Sequence, residues 1–356
     1  MRLLFVIRDM FIGGAGKQLA LTAKGLVEKG HEVFLYTYIG DVLEHFIDER
    51  IVYIPEKRGA TTKLREYFLT PFHIHKQIKE VKPDIAISWR ANAGFMLVLG
   101  AIGLDVKTIF SERSDPYMET SFLLKIATFI CNFSDGAVFQ TNQVQKYYKR
   151  LIPKSVVIPN PVIIQNKQLV MPLSQRINEI VWVGRLWNQQ KRMDVALKAF
   201  KILLSHKPSV KLSIYGDGVD FQSTQLLAKS MGVGKSVIFH GAVTNIIDEI
   251  RKYRLLIHTS DYEGIPNVVL EAFQSGVPVV ATDCSPGGMR VLIENGENGF
   301  IVPIGDTEAL AKRCIELLDN DVLSQNFITK GLMKLDDFNY STIINKWNEY
   351  LKNMLR

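Results

Sequence analysis

Short apolar runs alternate with longer segments of helical period along the chain. Residues 3–7 predict a strand, the glycine turn Gly13-Gly14-Ala15-Gly16 follows, and the amphipathic segment after it ends at Gly30. Residues 32–38, 84–89, 108–111 and 136–141 predict further strands. Residues 155–162 carry Pro159 and Pro161 around Asn160, residues that stop regular structure and suit an interdomain linker. A second series begins with a strand at 179–184 and a helix whose apolar stripe is Met193, Ala196, Leu197, Phe200, Leu203 and Leu204. Residues 211–215, 237–239, 255–259 and 278–282 predict the later strands, and 340–355 a last helix.

Such alternation predicts an α/β fold of parallel, doubly wound sheets, and 356 residues are too many for one ordinary core. The expected division is 1–163, 164–338, and a helix at 339–356 that packs back toward the first domain. A cleft between two such domains is the expected place for a ligand.

Hydrophobic residues make up 47% and charged residues 22% of the chain, a composition that excludes a disordered protein. Cys131, Cys284 and Cys314 lie far apart, which predicts reduced thiols packed as small apolar groups in a cytoplasmic protein. The first apolar run meets Arg8 and Asp9 too soon for a signal peptide, and residues 94–104 supply about half of the ~20 that a spanning helix needs. Lys125, Asn132 and Asp135 interrupt the apolar stretch at 121–139, so no membrane span is expected.

The net charge of +7 is concentrated in one place. Lys57, Arg58, Lys63, Arg65, Lys76, Lys79 and Lys82 face only Glu66 and Glu80, with Tyr67, Phe68 and Phe72 interleaved. A stretch of this kind seats on anionic membrane lipid, although a solvated amphipathic helix has the same composition. No nucleic-acid module accompanies it, so no nucleic-acid partner is expected.

Two carboxylates flank the richest chemistry. Glu263 precedes a predicted helix start, with Gly264 permitting an unusual turn, Pro266 suiting the first helical position and Gly276 ending the helix. Free backbone N–H groups around residues 265–268 would form an anion site at the strand's C-terminal edge. Glu271 shares a helix face with Asn267 and Gln274. Arg185 ends the strand at 179–184 and Lys191 follows after a short loop, so two cations converge on the same edge, where two phosphates need neutralising. Gly216-Asp217-Gly218 adds a loop open to close ligand approach. Taken singly, each has an ordinary reading as a solvated polar side chain or a simple turn.

Other chemistries fit poorly. The GGAGK run has Phe11 and Gln18 where a phosphate loop needs glycine and Ser or Thr, and no G-x-G-x-x-G follows the first strand. His73, His75, His206, His240 and His258 show no metal spacing, and His240 and His258 read as structural strand-end residues.

Gly184-Arg185 with Gln190-Lys191, Gly216-Asp217-Gly218, EGIPNVVLE at 263–271 and SGVPVVATDCSPGG at 275–288 together resemble the retaining GT-B glycosyltransferases of family 4. The likeness is dense over 179–303 and looser over 1–165, where it rests on Gly13-Gly14, SERSDP at 111–116 and IPNPV at 158–162. It is greatest to bacterial enzymes of capsule, O-antigen and lipid-linked oligosaccharide assembly that transfer N-acetylgalactosamine, galactose or glucose.

The resemblance implies a GT-B fold with two Rossmann-like domains, the N-terminal one for acceptor and the C-terminal one for nucleotide-sugar. It implies that Arg185 and Lys191 bind a UDP-sugar's diphosphate, that Glu271 holds the ribose and that Glu263 contacts the transferred sugar. Gly264, Ile265, Pro266 and Asn267 would receive the distal phosphate, with Gly14 and Gly216 also at the donor. No cofactor or metal is implied; the acceptor would be a polyprenyl-diphosphate-linked glycan at the inner membrane face. The acceptor hydroxyl would attack from the face the diphosphate leaves, with net retention. Many members have a histidine where this chain has Ser111-Glu112-Arg113, so Glu112 and Arg113 either contact sugar or acceptor or brace the loop. A UDP-sugar epimerase of the same fold and a non-catalytic lectin-like subunit are the alternatives.

Overall fold

The first strand, Arg2–Ile7 (β1), is apolar at every position after its first and buried on both faces, as a central strand of a parallel sheet must be. The computed structural model describes residues 1–10, 14–40, 47–56, 63–118, 122–148, 152, 154–164 and 170–356, with the side chains of all but 63–67 and 122–124. The chain divides into two compact units, one of Met1–Pro161 with Phe338–Arg356 and the other of Val162–Asp337.

In the first unit β1 is joined by β2 (Glu32–Thr37), β3 (Val52–Pro55), β4 (Ile85–Trp89), β5 (Lys107–Glu112), β6 (Gly136–Phe139) and β7 (Ser155–Val157). All run parallel in the order β3-β2-β1-β4-β5-β6-β7. The helices are α1 (Gly14–Glu28), α2 (Lys63–Val81), α3 (Ala91–Gly100), α4 (Phe122–Cys131), α5 (Asn142–Tyr148) and the terminal Tyr340–Met354, numbered α14 below. Two apolar layers, one on each face of the sheet, form its core. The terminal helix closes one of them: Trp347 is fully buried and stacks on Trp89 at 6.0 Å, and Tyr350 donates to the Lys154 carbonyl.

The segment 155–162, predicted as a linker, begins instead with the edge strand β7, and the unit boundary falls after Pro161. Val156 and Val157 pair with β6 before either proline is reached, so the prolines end a strand rather than exclude one. β3 escapes prediction because it is a four-residue edge strand that ends on Pro55.

The second unit holds β8 (Ile177–Val183), β9 (Lys211–Tyr215), β10 (Val237–Gly241), β11 (Tyr253–His258), β12 (Val279–Thr282) and β13 (Phe300–Val302), parallel in the order β10-β9-β8-β11-β12-β13. Its helices are α6 (Asn188–Lys191), α7 (Met193–His206), α8 (Phe221–Ser230), α9 (Ile246–Ile250), α10 (Asn267–Gln274), α11 (Gly288–Leu292), α12 (Thr307–Asp319) and α13 (Asp321–Lys334). The predicted stripe of α7 enters the core except for the partly buried Leu204. Strand order reverses between β8 and β11, which makes the C-terminal edge between them the topological switch point of the sheet.

Candidate active site

β8 and β11 lie side by side, Ile257 opposite Trp182, so the chain leaves both strands at one place. Side chains then stitch the two loops together. Thr259 accepts from the Trp182 indole at 3.1 Å and donates to the Lys191 carbonyl at 2.8 Å. The Asp261 amide donates to the Gln190 carbonyl at 2.9 Å. Arg192 has left-handed backbone (φ 51°) at the junction of α6 and α7, which aims its guanidinium back across the gap. There it donates to both Asp261 oxygens at 3.0 and 2.8 Å and to Asp194 on its other edge. This double engagement raises the Arg192 pKa.

The stitching brings Lys191 and Glu263 into an ion pair across the switch point. The same Glu263 oxygen accepts from Ser260 Oγ at 2.9 Å and has His258 Nε2 3.6 Å away. Burial opposes charge on Glu263, yet the Lys191 ammonium and the His258 contact overcome it and hold the carboxyl at about 2. His258 is 2% exposed, and burial lowers its pKa against the pull of Glu263.

A third loop supports this pair. The Glu263 amide donates to the Ser285 carbonyl at 2.8 Å, and the Ser285 amide to the Asp261 carbonyl at 3.0 Å. A Cβ at Gly288 would lie 1.6 Å from the Gly264 carbonyl oxygen, so only glycine lets α11 approach the loop before α10. Gly216 (φ 132°) plays the same part on the other side, where a Cβ would stand 1.9 Å from the Gly184 carbonyl oxygen.

Arg185, Lys191, Gly216, Glu263, Gly264, Ile265, Pro266, Asn267 and Glu271 therefore all belong to the C-terminal edge of the second sheet or to α10, the helix that rises from it. Arg185 is exposed; Asn267 and Glu271 are half-buried on α10. Two local expectations need correction. Pro266 stands one place before the helix, which begins at Asn267, because its extended backbone (ψ 110°) is not yet helical. Gly264 is not among the glycines with left-handed φ, so its turn is not one that glycine alone adopts. Gly276 does end the helix, with φ 62°.

Gly14, Glu112 and Arg113 belong to the first unit. Gly14 opens α1 and is exposed. Glu112 and Arg113 are 2% and 8% exposed, and their hydrogen bonds brace the loop after β5. The Glu112 carboxylate accepts from the Arg113 and Ser114 amides at 2.8 and 2.9 Å and from Ser114 Oγ at 2.7 Å. Burial pushes its pKa up. The Arg113 guanidinium lies 4.1 Å over the Trp89 ring and donates to Ser111 Oγ at 2.9 Å, and burial brings its pKa down to about 9. All three of those Glu112 bonds go to Oε1 and hold the turn that follows β5, while Oε2 has the Tyr148 hydroxyl at 3.4 Å.

Sequence reasoning missed Arg192, Asp261 and the part His258 takes. The first two lie beside recognised residues, Lys191 and Tyr262-Glu263, and only the adjacency of β8 and β11 pairs them. His258 was legible as a strand-end histidine at the edge that carries Glu263.

Two family profiles match the chain: Glycosyltransferase Family 4 over residues 12–166 and Glycosyl transferases group 1 over residues 177–320. An uncharacterised glycosyltransferase of Haemophilus influenzae is 24% identical over 98% of both chains. A Campylobacter jejuni α-1,4-N-acetyl-D-galactosaminyltransferase, named for an undecaprenyl-diphosphate-linked GalNAc acceptor, is 26% identical over 98% of this chain and 97% of its own. Among solved structures, Anabaena Alr3699/HepE in complex with UDP-glucose superposes with a TM-score of 0.83 at 17% identity, covering 99% of this chain and 100% of that one. The two sheets, their parallel order and these matches define a glycosyltransferase of the GT-B fold. The chain belongs to glycosyltransferase family 4.

Proposed function

We propose that the chain transfers a hexosyl or N-acetylhexosaminyl unit from a UDP-sugar to a glycan hydroxyl, with retention at the anomeric carbon. The observation that carries this reading is the Lys191–Glu263 pair across the switch point of the second sheet, beside the start of α10. Phosphate oxygens take the two cations, Arg185 and Lys191, together with backbone N–H groups of the helix start. Glu263, ionised at any physiological pH, accepts from sugar hydroxyls, and Glu271 accepts from the ribose. Cations and backbone donors stabilise the leaving diphosphate, so no step calls for a metal.

Two carboxylates on opposite faces of a sugar would permit double displacement. Here Glu263 is tied to Lys191, Ser260 and its own loop, so it orients the sugar and is not the nucleophile. The acceptor hydroxyl attacks from the face that the diphosphate leaves: its oxygen bonds the anomeric carbon, the bond to the β-phosphate oxygen breaks, and a phosphate oxygen of the leaving group takes the hydroxyl proton. NMR of the product tests this, with retained configuration expected and inversion contradicting it. A thermal-shift panel of UDP- and GDP-sugars, followed by mass spectrometry of products on polyprenyl-diphosphate glycans, tests donor and acceptor. Interconversion of UDP-sugars without acceptor would replace transfer by epimerisation.

The acceptor reading draws on the Campylobacter relative, and a surface of the first unit supports it. No helix among the described residues is long and apolar enough to cross a membrane. Yet Phe68 and Phe72 on α2, Ile102 after α3, and Phe129 and Phe133 at the end of α4 are all more than half exposed, with Lys76, Lys79 and Lys82 also exposed on and just after α2. α3 packs against both α2 and α4. Aromatic rings and lysines on adjacent helices suit an anionic lipid surface. Lys57 and Arg58 of the basic stretch lie outside the described residues, as do the side chains of Lys63 and Arg65. Charge reversal at Lys76 and Lys79 should abolish sedimentation with anionic liposomes; unchanged sedimentation defeats the membrane reading.

A further inference from the structure

The Lys191 ammonium has two claimants. In the ligand-free protein it neutralises Glu263, whose carboxylate is buried beneath it. On the donor-site reading above, on which this inference rests, it must also meet a diphosphate. Whatever share the phosphates take leaves Glu263 buried with less positive charge facing it, and an uncompensated buried carboxylate is strongly unfavourable.

Among the described residues, the titratable ring of His258 stands against that carboxylate. His258 Nε2 is 3.6 Å from the Glu263 oxygen and 3.4 Å from Ser260 Oγ, and its Nδ1 is buried without a hydrogen-bond partner. The charged groups acting on the ring are Glu263 and Lys191. Arg192 and Asp261, on the same loops, are paired with each other. Cys284, beyond Glu263 on the loop after β12, stays a neutral thiol because burial raises its pKa.

We propose that donor binding at this site is coupled to the uptake of one proton by His258, which replaces the charge that Lys191 withdraws from Glu263. In the free protein the ring is neutral, held so by burial and by the neighbouring ammonium. As the diphosphate draws Lys191 away, the carboxylate is left facing an imidazole at 3.6 Å, and the added negative charge favours imidazolium. The proton comes from solvent and returns when UDP leaves. His258 is thus a positioning residue: it touches Glu263 and not the sugar, and it keeps the carboxylate ionised and in place.

Calorimetry of a UDP-sugar, without acceptor, in buffers of different ionisation enthalpy reads the proton directly. UDP-sugars suit the purpose because their diphosphate does not titrate near neutrality. Wild type should take up most of one proton per donor bound at a pH of about 7.5, and its Kd should rise by up to about tenfold per pH unit above neutrality. His258→Gln should take up none, with a flat Kd. No uptake by wild type, or equal uptake by His258→Gln, overturns the inference while leaving the donor site intact. Failure of every UDP-sugar to bind wild type removes the donor-site reading and the inference with it. Should His258→Gln not fold, the 13C shift of the ring in wild type decides: donor must move it toward imidazolium, and a ring that stays neutral refutes the proposal.

Discussion

Replacing Lys191 by methionine keeps the length of the side chain and deletes its charge, leaving Glu263 buried against a neutral neighbour. The carboxyl sits at about 2 against an ordinary 4.5. That difference corresponds to about 3 kcal/mol of stabilisation at neutral pH. Removing one partner of a buried pair independently suggests about 3–5 kcal/mol. Because the pKa is lowered, this contribution is complete above 4.5 and is lost as pH falls toward 2. In Lys191→Met only the burial effect and the weaker His258 contact remain. The deficit at neutral pH should therefore shrink on acidification, as Glu263 takes a proton.

For a unit of this size each kcal/mol lowers the transition by about 2–4 °C, so Lys191→Met should melt roughly 10 °C below wild type. Lys191→Met with Glu263→Gln should recover at least about half of that, because the buried charge is gone. Trp182, hydrogen-bonded to Thr259 beside the pair, provides the fluorescence signal. A double variant that melts as low as Lys191→Met would refute the electrostatic account, and so would a single variant that melts with wild type.

Gly288→Ala drives a methyl group into the Gly264 carbonyl oxygen and should cost about 1–3 kcal/mol and weaken UDP-sugar binding at least about tenfold; wild-type melting and Kd would argue against the backbone contact. Trp347→Ala empties a fully buried site stacked on Trp89 and should destabilise the first unit by about 3–5 kcal/mol in urea unfolding, with a cost under 1 kcal/mol as the contrary result. Sugar transfer should be unchanged by EDTA if, as proposed, Arg185, Lys191 and the helix start carry the diphosphate; loss of activity restored by a divalent cation would contradict that assignment.

The alternation of apolar runs with helical segments disclosed the doubly wound class and most of the strands, because central parallel strands are buried on both faces and cannot hide. Edge strands can. β3 and β7 have four and three residues, β3 ending on Pro55 and β7 two residues before Pro159, so period and composition favour a turn or linker there. The donor-side candidates share a sheet edge because strand ends recur at predictable places. What spacing does not encode is which strand ends are neighbours. Asp261 with Arg192, and Glu263 with Lys191, become partners only once β8 and β11 are adjacent. Nor does spacing encode that one oxygen of Glu112, a polar residue at a strand end, accepts from the amides of the next two residues.

Steady-state transfer from the best UDP-sugar by wild type, Arg185→Ala and Glu263→Gln tests the central claim most directly. The account predicts a fall of about 100-fold or more in kcat/KM for each variant, since each removes a charged contact to the donor in the reacting complex. If both variants transfer sugar within a few-fold of wild type, the edge formed by β8, β11 and α10 is not the donor site.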